Sequence, residues 1–320
     1  MRKTIACALA LVAAAAWIPG AAAQSLKVVI PQKGNWDTSI VDFGIKQGFF
    51  KEQGLDVEEI FSQGGASTEQ AVISGSADFA MATGTLGIIS AYVKGAPIRI
   101  ISAEATGVPD IFWYATAASG IKTLKNTHGK TVAYSAPGSS SNLVLLGLLK
   151  MNGVDDAKPT AAGGIPGTMT QVMSGQIDVG WSVPPFGFAE IKDGKLVVVA
   201  HGNDLPSVRD QTVRVNIVRL DLLQQNRAVV VKFAKAYDKS LNWAYSDPKA
   251  IDYYAAGLNV TRDVAAAAFK YYPRSSMQPY QIKGLQTTLD SALDAKRIDQ
   301  PMKPDDIKGL IDIVWKPGQP

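Results

Sequence analysis

Five consecutive residues, Gly138-Ser139-Ser140-Ser141-Asn142, place three hydroxyls where a helix is expected to begin. The first backbone N–H groups of a helix have no partner inside it, and the helix dipole favours negative charge at that end. Serine hydroxyls beside them can donate to ligand oxygens, so the cluster suits an oxyanion; one serine can equally serve only as the helix cap. Thr83-Gly84-Thr85 offers the same chemistry a second time. Arg209 and Arg214 can each clamp a carboxylate or sulfonate with two parallel hydrogen bonds, or lie on a solvated loop. Trp36, Trp181 and Phe186 can stack on a ring or wall an alkyl chain, or pack beneath a loop.

Groups for making and breaking bonds are scarce. The two histidines, His128 and His201, stand in neighbourhoods without a second metal ligand, and the single cysteine, Cys7, lies near the start of the chain. Gly-x-Ser-x-Gly is absent, although a catalytic triad is a matter of geometry rather than of sequence order. The expectation is a binding protein with no catalytic residue, no metal and no cofactor.

The elements that must hold these loops follow an alternating grammar. Runs such as Leu26–Pro31, Leu55–Phe61, Phe79–Ala82 and Ile98–Ala103 read as strands, separated by helices near 38–47, 67–74 and 86–94. The stretch Gly48–Gly54 reads as a turn. The grammar restarts with Ile111–Ala115, Thr131–Ser135, Val179–Ser182 and Leu196–Ala200, then gives way after about Val218 to helices at 220–245, 248–257, 262–270, 279–297 and 304–313. Alternation of this kind predicts mostly parallel sheets covered on both faces. Val-x-Ser-Gly-x-x-Asp occurs twice, as Val72, Ser74, Gly75, Asp78 and as Val172, Ser174, Gly175, Asp178. Ser74 and Ser174 stand 100 residues apart, too far for a solenoid repeat but suited to two related halves. A length of 320 residues also favours two domains. In each copy the glycine is expected to close a helix and the aspartate to precede a strand whose far end faces a cleft, so the repeat itself reads as structural.

Arg2 and Lys3, the apolar run Ala6–Ile18 and Ala21-Ala22-Ala23 form a secretory leader over residues 1–23, cut between Ala23 and Gln24. Removing the two charges of Arg2 and Lys3 takes the formal charge from +4 to +2, and no basic tract suggests nucleic acid. A soluble, exported, disulfide-free monomer is expected. Residues 24–106 and 218–320 would form lobe 1 and residues 107–217 lobe 2. Two crossings, near Glu104–Ile111 and Gln211–Val218, would serve as a two-strand hinge for closure around a small molecule. Ligands in open α/β sheets settle beyond the carboxyl ends of the strands, which points to the loops Lys33–Thr38, Thr83–Thr85, Ser135–Asn142, Trp181–Phe188 and His201–Arg214.

The blocks Gly48-Phe49-Phe50-Lys51-Glu52-Gln53-Gly54-Leu55-Asp56-Val57-Glu58, Gln70–Ala80 and Leu124–Gly138 resemble the periplasmic substrate-binding proteins of nitrate/sulfonate/taurine-type ABC importers, which are related to THI5-like proteins and include binders of thiamine pyrimidine precursors. The resemblance runs from about residue 26 to 315. It implies a type II periplasmic-binding-protein fold, two α/β lobes with a C-terminal helical segment, and delivery of ligand to a membrane permease driven by a cytoplasmic ATPase. Carried over, it places ligand contacts at Asn35, Trp36, Thr83, Thr85, Ser139, Ser140 and Trp181. With the residues chosen on chemistry, the expected site is Asn35, Trp36, Thr83, Gly84, Thr85, Ser139, Ser140, Ser141, Trp181, Arg209 and Arg214, around a small organic anion. A binder of thiamine pyrimidine precursors, a related enzyme of the same fold and a solute-sensing receptor remain alternatives.

Overall fold

The structure, a computed structural model, describes residues 23–318. The leader segment before Ala23, with Cys7, therefore lies outside the described residues. In chain order, β1 (Gln24–Ile30), α1 (Ile40–Lys46), α2 (Phe49–Glu52), β2 (Leu55–Phe61), α3 (Gly65–Ile73), β3 (Phe79–Gly84), α4 (Thr85–Val93) and β4 (Ile98–Thr106) build the first lobe. The chain then crosses to β5 (Phe112–Thr116), β6 (Thr131–Tyr134), α5 (Ser140–Met151), β7 (Lys158–Ala161), α6 (Ile165–Met173), β8 (Val179–Ser182), α7 (Phe188–Lys192) and β9 (Leu196–His201). It returns along β10 (Thr212–Arg219) and ends in α8 (Leu220–Gln225), α9 (Arg227–Ser246), α10 (Lys249–Leu258), α11 (Arg262–Phe269) and α12 (Leu285–Asp294).

Two five-stranded sheets result, ordered β2-β1-β3-β10-β4 and β7-β6-β8-β5-β9. In each, the strand that arrives from the other lobe runs antiparallel between its neighbours: β10 between β3 and β4, β5 between β8 and β9. The other pairings, β1 with β2 and β3 and β6 with β7 and β8, are parallel. Strand β3 is buried along its whole length, as a central strand covered on both faces must be.

The doubled motif explains why the two halves match. Val72 and Val172 are buried, and Gly75 and Gly175 take φ of +79° and +75° just past the ends of α3 and α6. Asp78 Oδ2 accepts from the Lys27 backbone N–H at 2.8 Å, tying the start of β3 to β1. Asp178 Oδ2 accepts from the Thr131 N–H and hydroxyl, both at 2.8 Å, tying β8 to β6.

Several boundaries differ from those expected. Residues 212–217, assigned from sequence to the second lobe, belong to β10 of the first sheet, because the chain re-enters that sheet as soon as it has crossed. The two crossings do run side by side, with Gly107 N–H donating to Gln211 C=O at 3.0 Å. The turn expected at 48–54 contains the short helix α2. The helix expected at 220–245 breaks at Asn226, which leaves helical geometry and caps α9 by accepting from Val229 N–H. Strand β7 was missed because Lys158-Pro159-Thr160-Ala161 is an exposed edge without an apolar pattern.

Candidate functional site

The carboxyl ends of β1, β3, β6 and β8 open onto one cleft between the lobes. Its lining includes Gln32, Asn35 and Asp37 after β1, Gly64 and Gly65 after β2, Gly84, the serines 135 and 139–141, Trp181, and Arg214 of β10. The space is about 50 Å3, enough for a few waters or a small headgroup at about 10–15 Å3 per water-sized sphere.

The second lobe supplies a donor-rich wall. Ser139 is the N-cap of α5, its Oγ accepting from Asn142 N–H at 3.1 Å. Ser141 Oγ accepts from the Ser135 N–H at 3.0 Å and lies 3.1 Å from Ser135 Oγ. Cap and loop thus hold each other rigid, while the half-buried Ser140 stands on the cleft wall. The start of α5 borders the same space, and Gly64-Gly65 brings the start of α3 to it from the first lobe.

The lobes touch above this wall. Gly87 N–H donates to Gly138 C=O at 3.0 Å, and Ile165 N–H donates to Gln32 Oε1 at 3.3 Å. A Cβ on Gly84 would lie 2.5 Å from the Gly138 carbonyl oxygen, so the approach depends on that glycine.

The floor is ionic. Arg214, 7% exposed, donates Nε to Glu104 Oε2 at 3.0 Å and both terminal nitrogens to Asp110 at 2.9 and 3.0 Å; Asp37 Oδ2 lies 3.5 Å from Nε. All three acids are almost fully buried, and they come from β4, the first crossing and the loop after β1. Burial, reinforced by the neighbouring acids against the pull of Arg214, raises the Asp37 carboxyl to about 6 and that of Glu104 to about 8.

The remaining expected site residues are distributed unevenly. Asn35, Gly84, Ser139, Ser140, Ser141, Trp181 and Arg214 line the cleft. Trp181 is mostly buried, with its indole N–H donating to Gly163 C=O at 3.2 Å, so one edge of the ring walls the site. Trp36 does not reach the cleft: it is fully buried against Phe43, Tyr254 and Phe269, with centroids 5.4, 5.1 and 4.4 Å away. The Thr83 and Thr85 hydroxyls are buried and donate to the Val215 and Thr212 carbonyls, both at 2.8 Å, so they fasten β3 and the start of α4 to β10. Arg209 is exposed outside the cleft, its Nε donating to Asn203 C=O at 2.8 Å. Arg214 is in place but its fork is already filled by Asp110. Sequence reading missed Asp37, although the loop Lys33–Thr38 contained it, and Gly64-Gly65, which the strand-end rule would have found after β2.

The family model described as NMT1/THI5 like matches residues 39–251. The chain belongs to this family. No curated protein matches it. Among solved structures, the alkanesulfonate-binding protein SsuA from Xanthomonas axonopodis pv. citri bound to MOPS superposes with a TM-score of 0.77 at 15% identity, covering 91% of this chain and 99% of that one. The periplasmic aliphatic sulphonate binding protein SsuA from Escherichia coli gives 0.68 at 20% identity, covering 92% and 93%. The periplasmic nitrate-binding protein NrtA from Synechocystis PCC 6803 gives 0.73 at 13% identity, covering 90% and 86%. This member of the NMT1/THI5-like family therefore has the periplasmic-binding-protein fold, in its type II strand order.

Proposed function

We propose that the chain is the periplasmic solute-binding component of an ABC importer, holding a small molecule between its lobes and passing it unchanged to a membrane permease. The observation that carries this reading is the interlobe cleft itself: two matched lobes meet over a small space whose polar groups are only partly used within the protein. Family membership and likeness to sulfonate- and nitrate-binding proteins support it.

Ligand contacts are assigned to Ser139, Ser140, Ser141, Asn35, Gly84 and the edge of Trp181. The serines and the first turn of α5 take the ligand's oxyanion or carbonyl oxygen, since donors and a positive helix end converge there. Arg214 shapes the floor instead of grasping an anion, because its donors already serve three acids. The side-by-side, antiparallel crossings at Gly107 and Gln211 form the hinge.

A thermal-unfolding screen of sulfonates, carboxylates, nitrate, amino compounds and heterocycles tests the reading. A true ligand should stabilise the protein by about 2.7 kcal/mol at a hundredfold excess over Kd. No stabilisation by any class, or conversion of a bound compound into a product, would count against a binding-only role.

A further inference from the structure

We propose that the contact between α5 and α12 is a lever behind the hinge, so that groups which force these two helices apart bring the lobes together over the cleft. The inference rests on the two-crossing hinge, and not on what the cleft holds. A second cavity, of about 380 Å3, lies between Leu143 and Leu146 of α5, Leu205 and Val208 ahead of the second crossing, and Ser291 and Ala295 of α12. It shares no lining residue with the cleft. The returning chain separates the two spaces, since Gln211 lines the cavity and Arg214 lines the cleft floor. Helix α5 divides in the same way, with Ser140 and Ser141 on the cleft and Leu143, Leu146 and Lys150 on the cavity.

The walls of the cavity belong to different lobes. Helix α5 follows β6 of the second sheet, whereas α12 is fastened to the first lobe: Ser90 Oγ of α4 donates to Arg297 C=O at 2.9 Å, just past the end of α12. Gln211 Nε2 also donates to Thr288 Oγ1 at 2.7 Å, which holds α12 against the crossing. The rim is tied across the lobes by Lys150 Nζ, 2.9 Å from Asp294 Oδ2. Lys150 lies about 15 Å along α5 from Ser140 on the cleft wall, at 1.5 Å per residue. A rigid lobe turning about the crossings moves these two ends of α5 in opposite senses relative to the first lobe. The space between the helices leaves room for that swing, which a close-packed contact would resist. The side chains of the pair are 79% and 67% exposed, so their attraction is weak and screened by salt, and bulk or repulsion placed there acts more strongly.

The lever can be read without any solute. Cys7 is the only cysteine of the chain, so a Cys7→Ser background with Gln70→Cys on α3 and Thr170→Cys on α6 takes spin labels at two exposed positions, one on each lobe. Both helices start beside the cleft, and pulsed electron paramagnetic resonance gives the distance between the labels. Asp294→Lys, which sets two like charges face to face, and Ala295→Trp, which fills the cavity, should each shorten the mean distance by a few ångströms. The charge effect should fade in high salt and revert when Lys150→Asp is added. Asp294 is exposed, so its variant decides even where the tryptophan variant fails to fold. An unchanged or longer distance in either folded variant, or a shortening by Asp294→Lys that Lys150→Asp does not reverse, overturns the lever. That result leaves the solute-binding reading to stand or fall by its own unfolding screen.

Discussion

The two sides of the cleft are built from opposite materials. The second lobe presents hydroxyls at the start of α5, held by hydrogen bonds within one loop, Ser135 to Asn142. The floor presents acids gathered from two distant segments, Asp37 after β1 and Glu104 with Asp110 at the first crossing, around a single arginine. Donors can be assembled locally, because a capped helix start provides them. A buried charge cluster needs the whole topology, and it ties together both strands of the interlobe crossing.

The sharpest way to break this contrast is to remove the base. Arg214→Leu leaves three buried acids without their partner and should cost about 3–5 kcal/mol in chemical denaturation, with a large loss of folded protein. Next comes the seam between the two sides. Gly84→Ala sets a methyl against the Gly138 carbonyl and should impose a strain of about 1–3 kcal/mol on the contact between the lobes, seen as weaker ligand binding.

The floor should also respond to pH where the serine wall does not. The folded protein keeps a proton on Glu104 up to about pH 8, whereas the unfolded chain releases it near 4.5, so this group's contribution to stability is lost as pH rises through that window. Glu104→Gln should flatten the decline by on the order of 2 kcal/mol in denaturation curves at pH 5 and pH 8. Glu59 and Glu69, also pushed up to about 8 by burial, retain a residual slope.

The smallest effects separate cap from contact. Ser139→Ala should lower stability by about 1 kcal/mol through loss of the α5 cap. Ser140→Ala should leave stability within about 0.5 kcal/mol but weaken ligand binding about threefold to tenfold. Paired denaturation and calorimetric measurements on both variants check the split.

What was legible in the sequence follows the same division. The glycine helix ends of the doubled motif and the serine helix start depend on residues close together, and each is found where the chain pattern placed it. Trp36 was misread because Tyr254 and Phe269, which bury it, arrive more than 200 residues later. Thr83 and Thr85 were assigned to the ligand because their carbonyl partners sit on β10, about 130 residues downstream. Arg214 looked like a free clamp for the same reason: Asp37, Glu104 and Asp110 reach it only through the folded sheet order. Local chemistry could be read from spacing, but long-range pairing could not.

The central proposal is that one small molecule sits in the interlobe cleft against the serine wall. Hydrogen–deuterium exchange, with and without the solute that stabilises the protein most, tests it directly. Protection should appear together at Ser135–Asn142, at Gln32–Thr38 and along the crossings near Gly107 and Gln211. Protection confined to one lobe, or centred on the apolar groove between Phe186 and Leu258, would contradict the account.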